Sequence, residues 1–248
     1  KTDNDFQRYN INSGLESIDK DRSNLFTYKE NIGAAYVNYS RALKGITLQA
    51  GVRMEHTNAK GTSTGQKIVA GNYTAYSETF NRSYTDFFPS ASISFTKKPT
   101  NQFSINYSRR IDRPAYQDLN PFEFKLDEYT FQKGNINLSP QYTNSFGITN
   151  TYKYKLTTTL NYSHVKDLFT QIFDTAETSK AFITKKNLAT QDIVSLNISY
   201  PYRYKAYSMF ANVNGFYSHY NANYGTGRKI NVDAVGLSVY VQNSIRFA

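Results

Sequence analysis

The stretch ITLQAGVRME at residues 46–55 decides the fold, because every second side chain in it is apolar. Successive side chains of a β-strand point to opposite faces of the sheet, so this spacing predicts a strand with one aliphatic face and one small or polar face. The aliphatic face carries Ile46, Leu48, Ala50, Val52 and Met54, and the other carries Thr47, Gln49, Gly51, Arg53 and Glu55.

The same alternation returns eight more times along the chain. It predicts further strands within residues 31–41, 87–96, 103–108, 145–152, 156–163, 194–200, 207–217 and 235–242. Together with residues 46–55 these make nine strands, and residues 1–10 read as the polar end of a tenth. In each strand one face is aliphatic or aromatic, and the other is rich in Ser, Thr and Asn.

The connections between the predicted strands alternate in length. Short links fall at residues 42–45, 97–101, 153–155 and 201–206, and long links at 58–86, 111–141, 166–191 and 221–233. Outer-membrane barrels join their strands by short periplasmic turns and longer extracellular loops. A soluble β-sandwich is the alternative, but it has no reason to alternate its connections so regularly. We therefore expect the short links in the periplasm and the long links outside the cell.

The composition fits a membrane barrel although the mean hydropathy is only -0.61. A barrel needs apolar residues at every second position only, so the absence of long apolar runs excludes transmembrane helices but not barrel strands. The chain has 22 Tyr and 17 Phe, and amphipathic rings suit the interfacial girdles of barrels. The predicted fold class is all-β, an antiparallel transmembrane β-barrel segment of about nine to ten strands in a bacterial outer membrane.

The net charge of +10 comes from Lys and Arg residues that are scattered through turns and loops rather than gathered in one patch. This dispersion argues against nucleic acid as a partner. It favours contact with outer-membrane lipid and lipopolysaccharide headgroups, or a lumen that receives anionic solutes. The chain has no Cys, which excludes disulfides and cysteine-ligated metals.

Three segments carry a family resemblance. They are YTDFFPSASISF at residues 84–95, SRRIDRPAYQDLNPF at 108–122 and GNINLSPQYTNSFGI at 134–148. They resemble the barrel of TonB-dependent outer-membrane receptors, and most closely the Bacteroidetes outer-membrane β-barrel proteins of that superfamily. The positions of Gly134, Asn135, Leu138 and Pro140 resemble the family consensus before a membrane-entering strand.

This resemblance implies a parent protein with a barrel of about twenty-two strands, an N-terminal plug and a coupling box that contacts TonB. Residues 1–248 are then part of one barrel domain, and we find neither plug-like sequence nor coupling box in them. The implied function is energised uptake of a siderophore, glycan or peptide, with the plug, TonB and the remaining barrel as partners. A passive porin or structural barrel is the alternative, and a lipid-side barrel enzyme is the third reading.

Charged residues cluster where the predicted strand 103–108 leaves the membrane. The candidate ligand-binding residues are Arg109, Arg110, Asp112, Arg113, Tyr116 and Asp118. Arg side chains bind carboxylates and phosphates bidentately, which suits a solute or plug contact. The alternative is an ion-pair lattice that holds the loop folded at the rim, and charge runs favour that structural role.

Metal and catalytic signals are weak. Asp19, Asp21, Ser23, Thr27 and Glu30 have the spacing of a calcium loop, but Asn24 replaces its glycine. His56, His164 and His219 stand alone near strand ends, so we expect rim residues rather than metal ligands. Adjacent Ser163 and His164 point to opposite faces and cannot act as a catalytic pair. No hydrolase or phosphate-loop motif is present, so we expect no enzyme activity and no cofactor.

Overall fold

The computed structural model describes residues 1–177, 180–225 and 227–247, and within them the chain forms strands joined by turns and two 3₁₀ helices. The strands are β1 (Thr2–Phe6), β2 (Tyr9–Asn12), β3 (Leu15–Ile18), β4 (Asn24–Leu43), β5 (Ile46–Val69), β6 (Asn72–Phe95), β7 (Asn101–Asp112), β8 (Glu123–Lys125), β9 (Thr130–Lys133), β10 (Gln141–Tyr152), β11 (Leu156–Glu177), β12 (Lys180–Tyr204), β13 (Tyr207–Asn223) and β14 (Lys229–Ile245). The 3₁₀ helices are Lys20–Arg22 and Tyr116–Leu119.

Nine strands form a continuous antiparallel sheet in the order β4-β5-β6-β7-β10-β11-β12-β13-β14, and we call this sheet the wall. Its strands correspond one for one to the nine strands predicted from the alternation, so the predicted fold class is confirmed. β1 adds a tenth strand beside β4, as expected for residues 1–10. That expectation was wrong beyond Phe6, because the chain then turns into the separate hairpin of β2 and β3.

The register lines up the aliphatic side chains into one row across the wall. The row runs through Leu48, Ile93, Ile105, Ile148, Leu160, Leu196, Gly215 and Leu237, each a cross-strand partner of the next. Ile105, Ile148 and Leu160, in the middle of this row, are each nearly half exposed. A row of exposed aliphatic side chains is the surface that a barrel presents to lipid.

The opposite face of the wall is held by polar cross-strand pairs. The hydroxyl oxygens of Ser145 and Ser163 lie 2.9 Å apart, and those of Thr149 and Thr159 lie 3.1 Å apart. Such pairs satisfy hydroxyl groups between neighbouring strands without any apolar contact. We call this face the polar face of the wall. Ser163 therefore lies on the polar face, as the alternation predicts.

The four short links are short in the structure as well. β4 joins β5 through Lys44 and Gly45 alone, and β10 joins β11 through residues 153–155. Gly45 has a φ of 78°, and a Cβ atom there would lie 2.8 Å from the Cα of Lys97. This tight turn therefore requires glycine both for its backbone conformation and for its contact with the neighbouring link.

The prediction of a long link was wrong at three of the four places. β5 continues to Val69 and turns through Ala70 and Gly71 into β6, while β11 continues to Glu177 and the β13–β14 link is residues 224–228. The reason is physical: the backbone ladder needs no apolar side chains, so strands can continue into water after the aliphatic face has ended. The alternation marks only the part of each strand that faces lipid.

Candidate functional site

The link between β7 and β10, residues 113–140, is the one long link that the structure keeps, and we call it the inner loop. Its Leu119 and Leu138 pack with Phe26 of β4 into a buried cluster. Phe169 of β11 packs against the same cluster. β4 and β11 are five strands apart, about 24 Å along a flat sheet. The wall must therefore curve around the inner loop to bring them together.

The inner loop lies on the polar face of the wall. Phe26 shares its face of β4 with Asn38, and Phe80 of β6, which also contacts the cluster, shares its face with Ser90 and Ser92. In a barrel this face lines the lumen. The inner loop is consequently a lumen-facing segment that covers the ends of β4, β5 and β6, away from the short turns.

The ladder between β6 and β7 ends at Pro89, and beyond that residue the inner loop contacts β6. The ladder between β6 and β7 covers only Ser90–Phe95 and stops next to Pro89, which has no N–H group to donate. Beyond it the two strands separate, and Tyr142 of β10 donates a hydrogen bond of 3.0 Å to Asp86 of β6 across the gap. Arg82 of β6 donates to the carbonyl oxygens of Ile136 and Leu138 in the inner loop.

A buried network of amides and hydroxyls holds the inner loop against β4 and β5. The Nδ2 group of Asn120 donates to the Oδ1 of Asn24 at 2.9 Å, and Asn24 donates to Ser63 at 2.9 Å. Ser63 completes the ring by donating to the Oδ1 of Asn120 at 3.3 Å. All three residues are at most 3% exposed. Buried polar groups of this kind stabilise one arrangement only, because any other leaves them unpaired.

An ion-pair cluster fixes the beginning of the inner loop. The guanidinium of Arg113 lies 2.6 Å from the carboxylate of Glu55, which is buried, and also donates to Thr57 at 3.1 Å. Arg53 contacts the same carboxylate at 2.8 Å. Burial alone lowers the pKa of Arg113, but its bonds with Glu55 and Tyr84 outweigh this and raise the pKa above its ordinary value. The guanidinium of Arg113 therefore stays protonated throughout the physiological range.

The two halves of the inner loop cross at Gly134. The N–H of Gly134 donates to the carbonyl of Asn120 at 2.9 Å, and the N–H of Asn135 donates to the carbonyl of Asp118 at 2.7 Å. A Cβ atom on Gly134 would lie 2.7 Å from the nitrogen of Asn120, so the crossing admits only glycine. The segments 108–122 and 134–148, which carried the resemblance, are thus in direct contact.

The far half of the inner loop is bound to β12. β9 pairs in parallel with the beginning of β12, and β8 pairs with β9. The ammonium of Lys185 lies 2.8 Å from the carboxylate of Asp118, and the side chain of Asn135 donates to the carbonyl of Lys185 at 2.9 Å. The inner loop is therefore attached at both sides of the lumen.

A cavity of 600 Å³ remains between the inner loop and the ends of β5 and β6, and we call it the mouth cavity. Its cationic lining residues are Arg22, Lys67, Lys125, Lys133 and Lys180, and its carboxylates are Asp21, Glu78 and Glu123. Glu123 already binds Lys133 at 3.0 Å and Lys180 at 3.5 Å. Phe122 and Phe131 add aromatic surface. Lys125 binds Glu128 at 2.9 Å and Arg22 faces Asp19 at 3.8 Å, so Lys67 is the lining cation without an ion pair among the described residues. An unpaired cation in a cavity favours a ligand with negative charge.

The structure separates the six predicted ligand-binding residues. Arg113 is engaged with Glu55, Tyr116 packs against the buried cluster, and Asp118 binds Lys185, so these three hold the inner loop. Arg109 lies over the ring of Tyr142, with 4.8 Å from its Cζ to the ring centre, and Asp112 accepts a bond from Gln141.

Arg110 is different from the other five. It is exposed, and it shares its face of β7 with Ser104, Asn106 and Ser108, the polar face of the wall. Within residues 1–177, 180–225 and 227–247, no hydrogen bond or ion pair of its side chain is found. Arg110 is therefore the member of the predicted set whose side chain stays unpaired, within the described residues, on the polar face of the wall.

The calcium spacing does not assemble a site. Asp21 accepts a hydrogen bond from the N–H of Ile68, Asp19 faces Arg22, and Glu30 lies along β4 opposite Ala59. Ser23 donates to the carbonyl of Asp19. In the described part of the chain no group of three or more His, Asp or Glu residues could hold a metal ion. The described residues also contain no helix long and apolar enough to cross a membrane.

Sequence reasoning missed the mouth cavity and the buried Asn24, Ser63 and Asn120 network. The cavity residues come from the 3₁₀ helix Lys20–Arg22, from β5, β6 and β12 and from the inner loop, which no local pattern brings together. The one available signal was the density of polar and charged residues after the aliphatic part of β5, which we read as a solvent loop.

Comparison with known proteins places this fold among bacterial outer-membrane proteins. The model of a family described as "Outer membrane protein beta-barrel family" matches residues 1–248. The structure is similar to the ferric yersiniabactin uptake receptor FyuA from Yersinia pestis, with a TM-score of 0.54 and 13% identity over 89% of this chain and 38% of that one. It is also similar to the copper transporter OprC, with a TM-score of 0.51 and 14% identity over 88% and 37% of the two chains.

The siderophore receptor PirA from Pseudomonas aeruginosa is a further similar structure, with a TM-score of 0.47 and 12% identity over 91% of this chain and 52% of that one. No curated protein matches the sequence. Identities this low show a shared fold alone. The chain spans between 37% and 52% of the length of these three structures.

Proposed function

Because this chain belongs to the outer membrane protein beta-barrel family and lies in the bacterial outer membrane, we propose that it is part of the barrel domain of a TonB-dependent receptor for energised solute uptake. In this proposal residues 1–248 belong to one barrel domain of a parent protein. The remaining strands and the plug come from the rest of the parent, and TonB acts through that plug. The resemblance of the motif segments extends the proposal to a Bacteroidetes source.

The observation that carries the proposal is the inner loop fixed across the polar face of the wall. A receptor must bind its solute before the plug moves, so it needs a rigid surface at the outer mouth rather than an open channel. The buried network around Asn120 and the cluster around Glu55 provide that rigidity. The membrane orientation follows the same reasoning, with the short turns in the periplasm and the inner loop near the exterior.

We further propose that the solute carries negative charge. Among the cationic lining residues of the mouth cavity Lys67 has no ion pair in the described part of the chain, and the unpaired Arg110 lies on the same face of the wall. Anionic metal chelates, acidic glycans and acidic peptides all satisfy this requirement, because each presents carboxylate or phenolate oxygens to Lys and Arg side chains. Within this proposal the chain acts as a transporter wall and catalyses no reaction.

Uptake by cells that express the full parent protein tests the proposal. Labelled anionic chelates, acidic oligosaccharides and peptides are supplied to cells with and without TonB, and we expect uptake of one class that disappears without TonB. Uptake that is unchanged without TonB would instead support a passive porin. Lipid hydrolysis by the purified protein would support the barrel enzyme.

Two variants locate the solute contact. We expect Arg110→Ala to lower uptake with no change in thermal stability, since its side chain has no partner within the described residues. Lys153→Ala, at a short turn on the opposite end of the wall, is the matched control and should leave uptake unchanged. Unchanged uptake in Arg110→Ala would leave the solute contact to the mouth cavity alone.

A further inference from the structure

The outer surface of the wall has a polar row directly after its aliphatic belt. On β11, β12, β13 and β14 the last belt residues are Tyr162, Val194, Tyr217 and Val235, and the next residues on that face are His164, Asp192, His219 and Asp233. The register pairs His164 with Asp192, Asp192 with His219, and His219 with Asp233. The boundary between belt and row is the level at which the hydrocarbon core of the membrane ends.

The carboxylates of this row accept hydrogen bonds from their neighbours. Asp192 accepts a hydrogen bond of 2.6 Å from the hydroxyl of Tyr162 and contacts the Nδ1 of His164 at 2.8 Å. Asp233 repeats the arrangement with Tyr217 at 2.8 Å and His219 at 2.7 Å. A carboxylate only accepts, so the imidazole Nδ1 is the donor in both pairs. Both aspartates are therefore held in place by donors of the same face.

A cleft of 1590 Å³ opens next to this row, and we call it the headgroup cleft. The ladder between β12 and β13 ends at Ala189 and Ala222, and the strands separate beyond it. Thr190 and Asn221 line the cleft, and they are the residues that follow Asp192 and His219 on the lipid-facing side. The cleft therefore lies just outside the hydrocarbon core.

The lining of the headgroup cleft combines positive charge with apolar surface. Its cations are Lys166, Lys186, Arg228 and Lys229, against the carboxylates of Asp167 and Asp174. Lys186 binds Asp174 at 2.9 Å, and no ion pair of Lys166, Arg228 or Lys229 is found among the described residues. Leu188 and Ile230 also line the cleft, and Ile230 does so from the polar face of the wall, where it is opposite Ala222. Basic side chains above a lipid belt, with apolar contacts below, match an anionic amphiphile rather than a soluble anion.

We propose that the headgroup cleft binds the phosphorylated headgroup of a glycolipid of the outer leaflet, with its acyl chains against the aliphatic belt below. The free ammonium and guanidinium groups of Lys166, Arg228 and Lys229 contact the phosphates, as charge-assisted hydrogen bonds. The inference rests on the proposed orientation, which places the inner loop and this cleft at the outer leaflet. It does not depend on which solute the receptor takes up.

Lipid binding by the full parent protein in mild detergent tests this inference. Native mass spectrometry measures the fraction of protein that carries bisphosphorylated lipid A, and the same measurement is made with lipid A whose phosphates have been removed. We expect the dephosphorylated lipid to bind more weakly to the unaltered protein. The double variant Arg228→Ala/Lys229→Ala should bind the phosphorylated lipid about 30-fold more weakly, since two cations near the membrane surface are lost.

A matched control removes two cations at the other end of the wall. Lys153→Ala/Lys155→Ala alters the β10–β11 turn and should bind the lipid as the unaltered protein does. Heat-dependent migration on gels confirms that each variant is folded. The single variant Lys166→Ala, at an exposed residue, should also bind the phosphorylated lipid more weakly, with a smaller loss of affinity than the double variant. Equal binding by the unaltered protein and Arg228→Ala/Lys229→Ala, or equal loss in the control, would overturn the inference.

The outcome is separable from that of the proposed function. Solute uptake that persists without TonB would remove the receptor proposal and leave lipid binding at the cleft intact. If the unaltered protein binds phosphorylated and dephosphorylated lipid A equally while uptake still depends on TonB, the lipid site is refuted and the receptor proposal stands.

Discussion

Replacing Asn120 by Ala should release the inner loop from the wall without unfolding the wall itself. The Asn120 side chain makes three hydrogen bonds in a site that is 2% exposed: it donates to Asn24 at 2.9 Å, and its Oδ1 accepts from Ser63 at 3.3 Å and from the N–H of Phe122 at 3.2 Å. A buried hydrogen bond contributes about 1 kcal/mol, so the substitution costs about 3 kcal/mol. The Oδ1 of Asn24, which is also buried, loses the donor that Asn120 supplies.

Hydrogen exchange of the backbone amides measures this cost directly. The N–H groups of Gly134 and Asn135 are bonded to the carbonyls of Asn120 and Asp118, so they exchange only when the crossing of the inner loop opens. A loss of about 3 kcal/mol raises their exchange rate on the order of 100-fold, since 1.4 kcal/mol corresponds to tenfold. Amides in the ladder between residues 207–215 of β13 and 237–245 of β14, near the short turns at the other end of the wall, should exchange as before.

Two variants make the measurement specific. Asn120→Asp keeps the oxygen that accepts from Ser63 and Phe122 but loses the amide donor to Asn24. It should therefore also raise the exchange rate of the Gly134 and Asn135 amides. Asn197→Ala removes an amide that pairs with Asn212 on the polar face of the wall and should leave the inner loop unchanged. Unaltered exchange at Gly134 and Asn135 in Asn120→Ala, or an equal increase in Asn197→Ala, would refute the role given to the buried network.

Three further predictions concern the same loop. Leu138→Ala removes a fully buried side chain from the cluster with Phe26 and Leu119, and should destabilise the inner loop by about 3 kcal/mol. The same exchange experiment measures this cost. A cost below that of Leu126→Ala, which removes an exposed leucine, would contradict the role of the cluster. Gly134→Ala places a Cβ atom 2.8 Å from the carbonyl oxygen of Asp118 and should open the crossing, so proteolysis within residues 113–140 should become faster. The control Gly71→Ala alters a two-residue turn outside the inner loop, where a Cβ atom meets no neighbour, and should leave the cleavage of the inner loop unchanged. Hydrogen bonds from the N–H of Tyr129 and from Thr130 lower the pKa of the exposed Asp127. The ionised carboxylate therefore stabilises the turn at residues 126–130 above the ordinary aspartate pKa, and this stabilisation is lost as the pH falls through the lowered pKa. Amides of that turn should exchange faster below about pH 4, relative to their unfolded rates, and Asp127→Asn should abolish this pH dependence.

The wall could be predicted from residue order because its information is local. The alternation at Ile46–Met54 needs only the two-residue period of a strand, and the aliphatic row from Leu48 to Leu196 follows once neighbouring strands pair in register. The failures at residues 58–86 and 166–191 have the same origin. Beyond the lipid both faces of a strand meet polar surroundings, so the pattern ends although the ladder continues.

The candidate site needed contacts between distant parts of the chain. Arg113 was predicted to lie in a charged cluster of its chain neighbours, but its partner in the structure is Glu55, 58 positions away in the chain. No local rule distinguishes Arg113, which is partly buried against that carboxylate, from Arg110, which is exposed on the polar face three residues earlier. The difference arises from the point at which β7 leaves the wall, and that point depends on Pro89 in β6.

The sequence by itself determined the strand count, the two faces of the wall and the short turns, since each depends on neighbouring residues and on a medium that is apolar on one side. Only the tertiary structure decided that residues 113–140 pack across the polar face and that a basic mouth cavity remains beside them. It alone also placed the row from His164 to Asp233 below a cationic cleft. These features depend on curvature and register over many strands, which bring together side chains that are far apart in the chain.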